Sequence, residues 1–143
     1  MLQLETLEPL VGGWTTQATF VDRDDVFRGT TTFAWFGGGS YLIQHASMED
    51  PTFPTAIMLT GPAVGGERVV QHYFDSRGIA RIYEVSLEGG LLRLWRDDAD
   101  FAQRYSGRFG ADGSTIEGAW EIREPGEGWR HDFAFSYTRV AAS

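Results

Sequence analysis

The 143-residue chain has no cysteine and sets 12 basic against 20 acidic side chains, a formal charge of −8. Disulfides and thiolate metal sites are therefore excluded, and an acidic surface without a basic stripe gives no reason to expect nucleic acid as a partner. Eighteen glycines with aromatic residues at 14% suit many tight turns around an interior filled by rings.

The predicted elements begin with one short helical segment. Leu4, Leu7, Leu10 and Val11 recur at roughly helical spacing, Pro9 stands near the end, and Gly12-Gly13 stops the run, so one or two turns are expected. Met1-Leu2-Gln3-Leu4-Glu5 lacks the basic and apolar runs of a signal peptide. No stretch approaches the ~20 apolar residues of a membrane-spanning helix. A cytoplasmic location is expected, with no membrane partner.

From Trp14 the apolar period drops to two. Strands are predicted over Trp14–Phe20, Phe27–Phe36, Ser40–Met48, Thr55–Gly61 and Arg68–Phe74. Five more follow over Ile79–Leu87, Leu91–Arg96, Phe101–Phe109, Thr115–Glu124 and Trp129–Val140. Gly37-Gly38-Gly39, Asp75-Ser76-Arg77-Gly78, Gly89-Gly90, Asp112-Gly113 and Pro125-Gly126-Glu127-Gly128 supply turns between them. The pattern predicts an all-β fold: a single closed antiparallel up-and-down β-barrel of about ten strands with a short N-terminal helical turn, one domain over residues 1–143.

Registers follow from the turns. A two-residue turn at Asp112-Gly113 sets Phe109 against Ile116, Gly107 against Gly118 and Tyr105 against Trp120. A loop at Gly126-Glu127 sets Ile122 against His131, Trp120 against Phe133 and Ile116 against Tyr137. Both give one inner face of Gln103, Tyr105, Phe109, Ile116, Trp120, Ile122, His131, Phe133, Phe135 and Tyr137. Arg104, Ser106, Arg108, Thr115, Glu117, Glu121, Arg130, Asp132, Ser136 and Thr138 fall on the other face. For Asp75–Gly78, a type I turn with Gly78 at a left-handed bulge position groups Gln71, Tyr73, Arg81, Tyr83 and Val85. A plain two-residue loop would group His72 with Arg81 instead. The faces of His45 and His72 stay open.

Gly12-Gly13-Trp14 opening the first strand and Tyr137-Thr138-Arg139 closing the last resemble the signature of the calycin superfamily, which includes lipocalins and fatty-acid-binding proteins. The resemblance implies that Arg139 packs across Trp14 beside Gly12 at the closed end of the barrel. His72-Tyr73-Phe74-Asp75-Ser76-Arg77-Gly78, Leu94-Trp95-Arg96-Asp97, Gly118-Ala119-Trp120-Glu121 and the stretch from His131 to Tyr137 are similar to lipocalin-like bacterial proteins of the DUF1579 type. That family has no settled activity. Similarity to nitrobindin, a barrel that holds haem through one histidine on its last strand, is more distant. The matching Phe133-Ala134-Phe135-Ser136-Tyr137 contains no histidine and His131 is displaced from it, so haem is not expected.

Two inward polar sets are candidates for function. His131, amid aromatics, could bond a ligand or carry protons, or be a satisfied imidazole near the mouth. In fatty-acid-binding proteins an inward Arg and Tyr hold a carboxylate, which implies that role for Arg81 with Tyr83 or Tyr105. The family's motif lies on its last strand, however, where Tyr137-Thr138-Arg139 here serves the closed end. Alternatively Arg81 lies at the rim, reaching water or bridging Asp75. Gly107 opposite Gly118 opens cavity space or permits a sharp corner. Phe53, in the proline-stiffened loop Glu49–Pro54, is a candidate lid. Asp97-Asp98-Ala99-Asp100 lacks the glycine and distal Glu of a calcium loop, three scattered histidines do not make a zinc site, and no nucleophile or phosphate-loop motif is present.

The expectation is thus a protein binding a small hydrophobic or amphipathic molecule through Arg81, Tyr83, Gln103, Tyr105, Trp120, His131, Phe133 and Phe135, with neither cofactor nor metal. The alternative is an isomerase, cyclase or hydrolase using His131 and Tyr105 in the same cavity. A third reading is a filled barrel working through an oligomer interface, for which a homodimer is the simplest form.

Overall fold

The alternation that starts at Gly12 resolves into ten strands in the computed structural model, which describes residues 3–66 and 68–141. They are β1 (Gly12–Thr19), β2 (Val26–Phe36), β3 (Tyr41–Met48), β4 (Ala56–Pro62), β5 (Val69–Asp75), β6 (Ala80–Glu88), β7 (Leu91–Asp97), β8 (Ala102–Phe109), β9 (Thr115–Arg123) and β10 (Arg130–Arg139). Each strand pairs with its neighbour in sequence and β1 also pairs with β10, so the sheet closes as an antiparallel up-and-down barrel. Closure leaves no unpaired sheet edge among the described strands.

Leu4–Leu10 forms a 3-10 helix rather than α-helix. Leucines three apart stack on one face at three residues per turn, and Leu7 and Leu10 are buried beneath the barrel with Trp14 and Phe33. The segment plugs one end. Trp14 Nε1 donates to the Leu10 carbonyl at 2.8 Å, and the Arg139 guanidinium lies 4.1 Å from the Trp14 ring. Arg139 also donates to the carbonyls of Val11 (2.8 Å) and Pro9 (2.5 Å). Gly12 has φ +120, and a Cβ there would stand 3.0 Å from Arg139 Nη1, so the glycine permits this close approach. Among the described residues no helix is long and apolar enough to cross a membrane.

The β8–β9 register is as expected, Phe109 against Ile116, Gly107 against Gly118 and Tyr105 against Trp120. The loop is longer than two residues: Gly110 N–H donates to Thr115 and Gly113 N–H closes back on the Gly110 carbonyl. The β5–β6 turn takes the bulged form, with Gly78 at φ +81 and Tyr73 opposite Arg81.

The β9–β10 register needs one correction. Trp120 faces Phe133 and Ile116 faces Tyr137 as expected, but Ile122 faces Arg130 and His131 faces Glu121, because a bulge lies between His131 and Phe133. The extra residue, Asp132, shifts parity near the rim. His131 therefore joins outward Glu121 and is exposed, and its expected place on the inner face is wrong.

Candidate functional site

A cavity of about 230 Å³ occupies the barrel from its mouth to mid-height. The opposite end is sealed by Leu7, Leu10, Phe33 and Leu42, with a small void of about 20 Å³ between seal and cavity. The mouth is framed by the β1–β2, β3–β4, β5–β6, β7–β8 and β9–β10 loops, since antiparallel strands return alternately to the two ends. Phe53 in the β3–β4 loop lines the cavity edge, its ring 4.9 Å from that of Phe27.

Inward positions of β6, β8, β9 and β10 bring six of the eight expected ligand residues to the cavity: Arg81, Tyr83, Gln103, Trp120, Phe133 and Phe135. The apolar wall is a chain of rings. Phe133 lies 6.1 Å from Phe135, and Trp120 lies 5.9 Å from Tyr83 and 5.4 Å from Tyr105.

Polar groups gather near the mouth. The Tyr83 hydroxyl donates to Gln103 Oε1 at 2.7 Å, and Arg81 Nη1 reaches the same oxygen at 3.5 Å. Burial raises the Tyr83 pKa, so this hydroxyl stays a donor at neutral pH. Tyr73 also lines the cavity, but its hydroxyl is committed to Asp75 Oδ2 at 2.7 Å. Arg77 holds the same carboxylate at 2.6 Å. Arg81 thus does not bridge Asp75. Its guanidinium lies 5.4 Å from the Phe101 ring and 5.9 Å from the Tyr73 ring. Among the described residues no carboxylate stands within ion-pair distance of it.

Tyr105 and His131 do not meet in the cavity. The Tyr105 ring turns toward the closed end, and its hydroxyl donates to the Phe135 carbonyl at 2.9 Å. Burial raises its pKa far above the ordinary tyrosine value. The glycine pair accommodates this ring: a Cβ on Gly107 would lie 2.5 Å from the Tyr105 hydroxyl, and one on Gly118 would lie 2.7 Å from it. The paired glycines therefore make room for a tyrosine rather than for a ligand. With His131 outside, the proton-carrying pair of the enzyme alternative is not assembled.

His45 and His131 are exposed, and His72 lies between Gln71 and Tyr73, whose side chains face the cavity while its own does not, so no histidine lines the cavity. Haem held by a single histidine does not fit these residues. Among the described residues no group of three or more histidine, aspartate or glutamate side chains is placed to hold a metal ion.

Sequence reasoning did not single out Gln44, Gln71, Thr31 or Met58 as site residues, although all line the cavity. A signal existed for two of them: Gln44 follows Leu42, and Gln71 precedes Tyr73, at inward parity. Polar residues in such places are either paired internally or face a cavity.

No family model and no curated protein matches the chain. Among solved structures, the crystal structure of Rv2717c from M. tuberculosis is similar, with a TM-score of 0.67 at 16% identity, covering 96% of this chain and 97% of that one. At that identity the likeness concerns the fold.

Proposed function

We propose that this protein binds a small amphipathic molecule in its barrel cavity, with an acidic head group at Arg81 and an apolar body against Trp120, Phe133 and Phe135. The observation that carries the reading is Arg81 itself, a half-buried guanidinium facing a cavity without a carboxylate partner among the described residues. Such a charge is costly to cover unless an anion pairs with it, and guanidinium geometry suits carboxylate or phosphate. Mostly apolar walls with a few converging polar groups are the usual composition of ligand sites. The Arg139–Trp14 packing at the sealed end supports a calycin-type carrier, in which one end stays closed while the other admits ligand.

Native mass spectrometry of the purified protein tests this together with titration of small aryl and alkyl carboxylates, followed by intrinsic tryptophan fluorescence because Trp120 forms part of the wall. The expected result is carboxylate binding that Arg81→Gln weakens at least ten-fold, corresponding to about 1.4 kcal/mol. Absence of both a retained adduct and carboxylate binding, or equal binding by Arg81→Gln, overturns the reading.

A further inference from the structure

The cavity changes character at mid-height. Gln44, Thr60 and Gln71 project inward from β3, β4 and β5, with exposures of 5%, 5% and 7%. Gln44 and Gln71 lie at the boundary between the main cavity and the small void below it. Gln44 Nε2 donates to Thr31 Oγ1 at 3.0 Å, and Thr31 in turn donates to the His45 carbonyl. The Gln71 side chain, by contrast, makes no hydrogen bond to a described residue; the residue is 7% exposed, and the surface its carboxamide keeps faces the cavity. A carboxamide offers two N–H donors and an acceptor oxygen, and buried groups of this kind are almost always paired. The lower void has room for about one water, which serves only the underside. The upper side opens onto the space that a ligand would fill.

A purely apolar ligand end placed there would displace solvent from Gln71 and give nothing back. A hydroxyl or carbonyl would restore the hydrogen bond, so the position discriminates between the two. Its height is fixed by register. Gln71 faces Tyr83 while Tyr73 faces Arg81, so the two backbone positions lie two residues apart, about 7 Å measured along the strand. A cavity of about 230 Å³ is smaller than the ~300–1,000 Å³ of drug-sized pockets, which favours one ring over a long alkyl chain.

We propose that the ligand is bipolar: an acid at Arg81, a compact aromatic or alicyclic body against Trp120 and Phe135, and a neutral hydroxyl or carbonyl bonded to Gln71, two residues deeper along the strands. This inference rests on the acidic-head reading above and adds the second polar group. The test compares 4-hydroxyphenylacetate with phenylacetate by calorimetry on the wild type, Gln71→Met and Arg81→Gln, with the Gln71 side-chain amide followed by NMR.

The wild type is expected to bind the hydroxylated probe about ten-fold more tightly. Gln71→Met should remove that preference while binding phenylacetate at least as well as the wild type. The Gln71 amide signals should move with the hydroxylated probe and stay still with phenylacetate. Equal affinities on the wild type, or a preference that survives Gln71→Met with unmoved amide signals, overturns the second polar group and leaves the acid site standing. Unchanged binding of both probes by Arg81→Gln overturns the acid site instead. Failure of both probes on the wild type overturns both.

Discussion

Asp75 accepts hydrogen bonds from the Arg77 guanidinium, the Tyr73 hydroxyl and the backbone N–H groups of Arg77 and Ile79. These donors favour the charged carboxylate, the Arg77 contact most of all, and hold its pKa well below the ordinary value. A depressed acid contributes stability above its unfolded pKa of about 3.9, and that stability is lost as pH falls toward the folded value. Asp75→Asn is expected to cost about 2 kcal/mol at neutral pH, with the gap to wild type narrowing below about pH 4 in thermal melts. Asp132 runs the other way, since burial raises its pKa against the opposing charges of Arg130 and His131. The wild type is penalised as pH rises through the folded pKa. Asp132→Asn should therefore raise the melting midpoint at pH 7, and the gain should vanish below about pH 4. Gly118→Ala is a test of packing rather than charge. Its methyl would collide with the Ser106 carbonyl and crowd the Tyr105 hydroxyl, so a loss of about 1–3 kcal/mol is expected in urea denaturation.

At the scale of elements, the sealed end is a joint between the N-terminal 3-10 helix and the last strand. Arg139 covers the Trp14 ring and holds the carbonyls of Pro9 and Val11. Arg139→Ala is expected to destabilise by about 2–3 kcal/mol while leaving carboxylate affinity unchanged, because that end lies away from Arg81. Equal losses in stability and affinity would contradict this separation. The same elements show what a sequence can reveal. Period two and glycine turns placed ten strands to within a residue or two, and Gly78 selected the bulged register that carries Arg81 into the cavity. The bulge at Asp132 had no comparable mark. Its backbone asks for no glycine, so nothing in Arg130-His131-Asp132-Phe133 distinguishes a kinked strand from a straight one, and His131 was misplaced as a result. Gln44 is hidden in the sequence for another reason. Its strand is joined to the next through the long loop after Met48, which fixes no register, so its neighbours across the barrel could not be deduced.

Across the whole molecule, charge is distributed unevenly about the mouth. The loops there carry Asp22, Asp24, Asp25, Glu49, Asp50, Asp98, Asp100, Glu124 and Glu127, with Asp97 at the end of β7. Arg23, Arg96, Arg123 and Arg130 neutralise some of them through ion pairs with Asp25, Asp98, Asp97 and Glu124. An anion approaching this rim meets repulsion before it meets Arg81. Association of a carboxylate probe in stopped-flow fluorescence is therefore expected to accelerate as salt is raised toward about 0.15 M, where screening acts over about 8 Å. Slowing with salt would show that Arg81, and not the rim, sets the approach. The single opening has a consequence of its own. Among the described residues Leu7 and Leu10 stop the far end, so a molecule bound as proposed would enter and leave by the mouth. Loading is then directional. If the ligand is the proposed bipolar acid, its neutral end goes in first and the acid last, and departure reverses the order. On that reading a receiver would meet the charged end first, and release would need none of the ten strands to unpair.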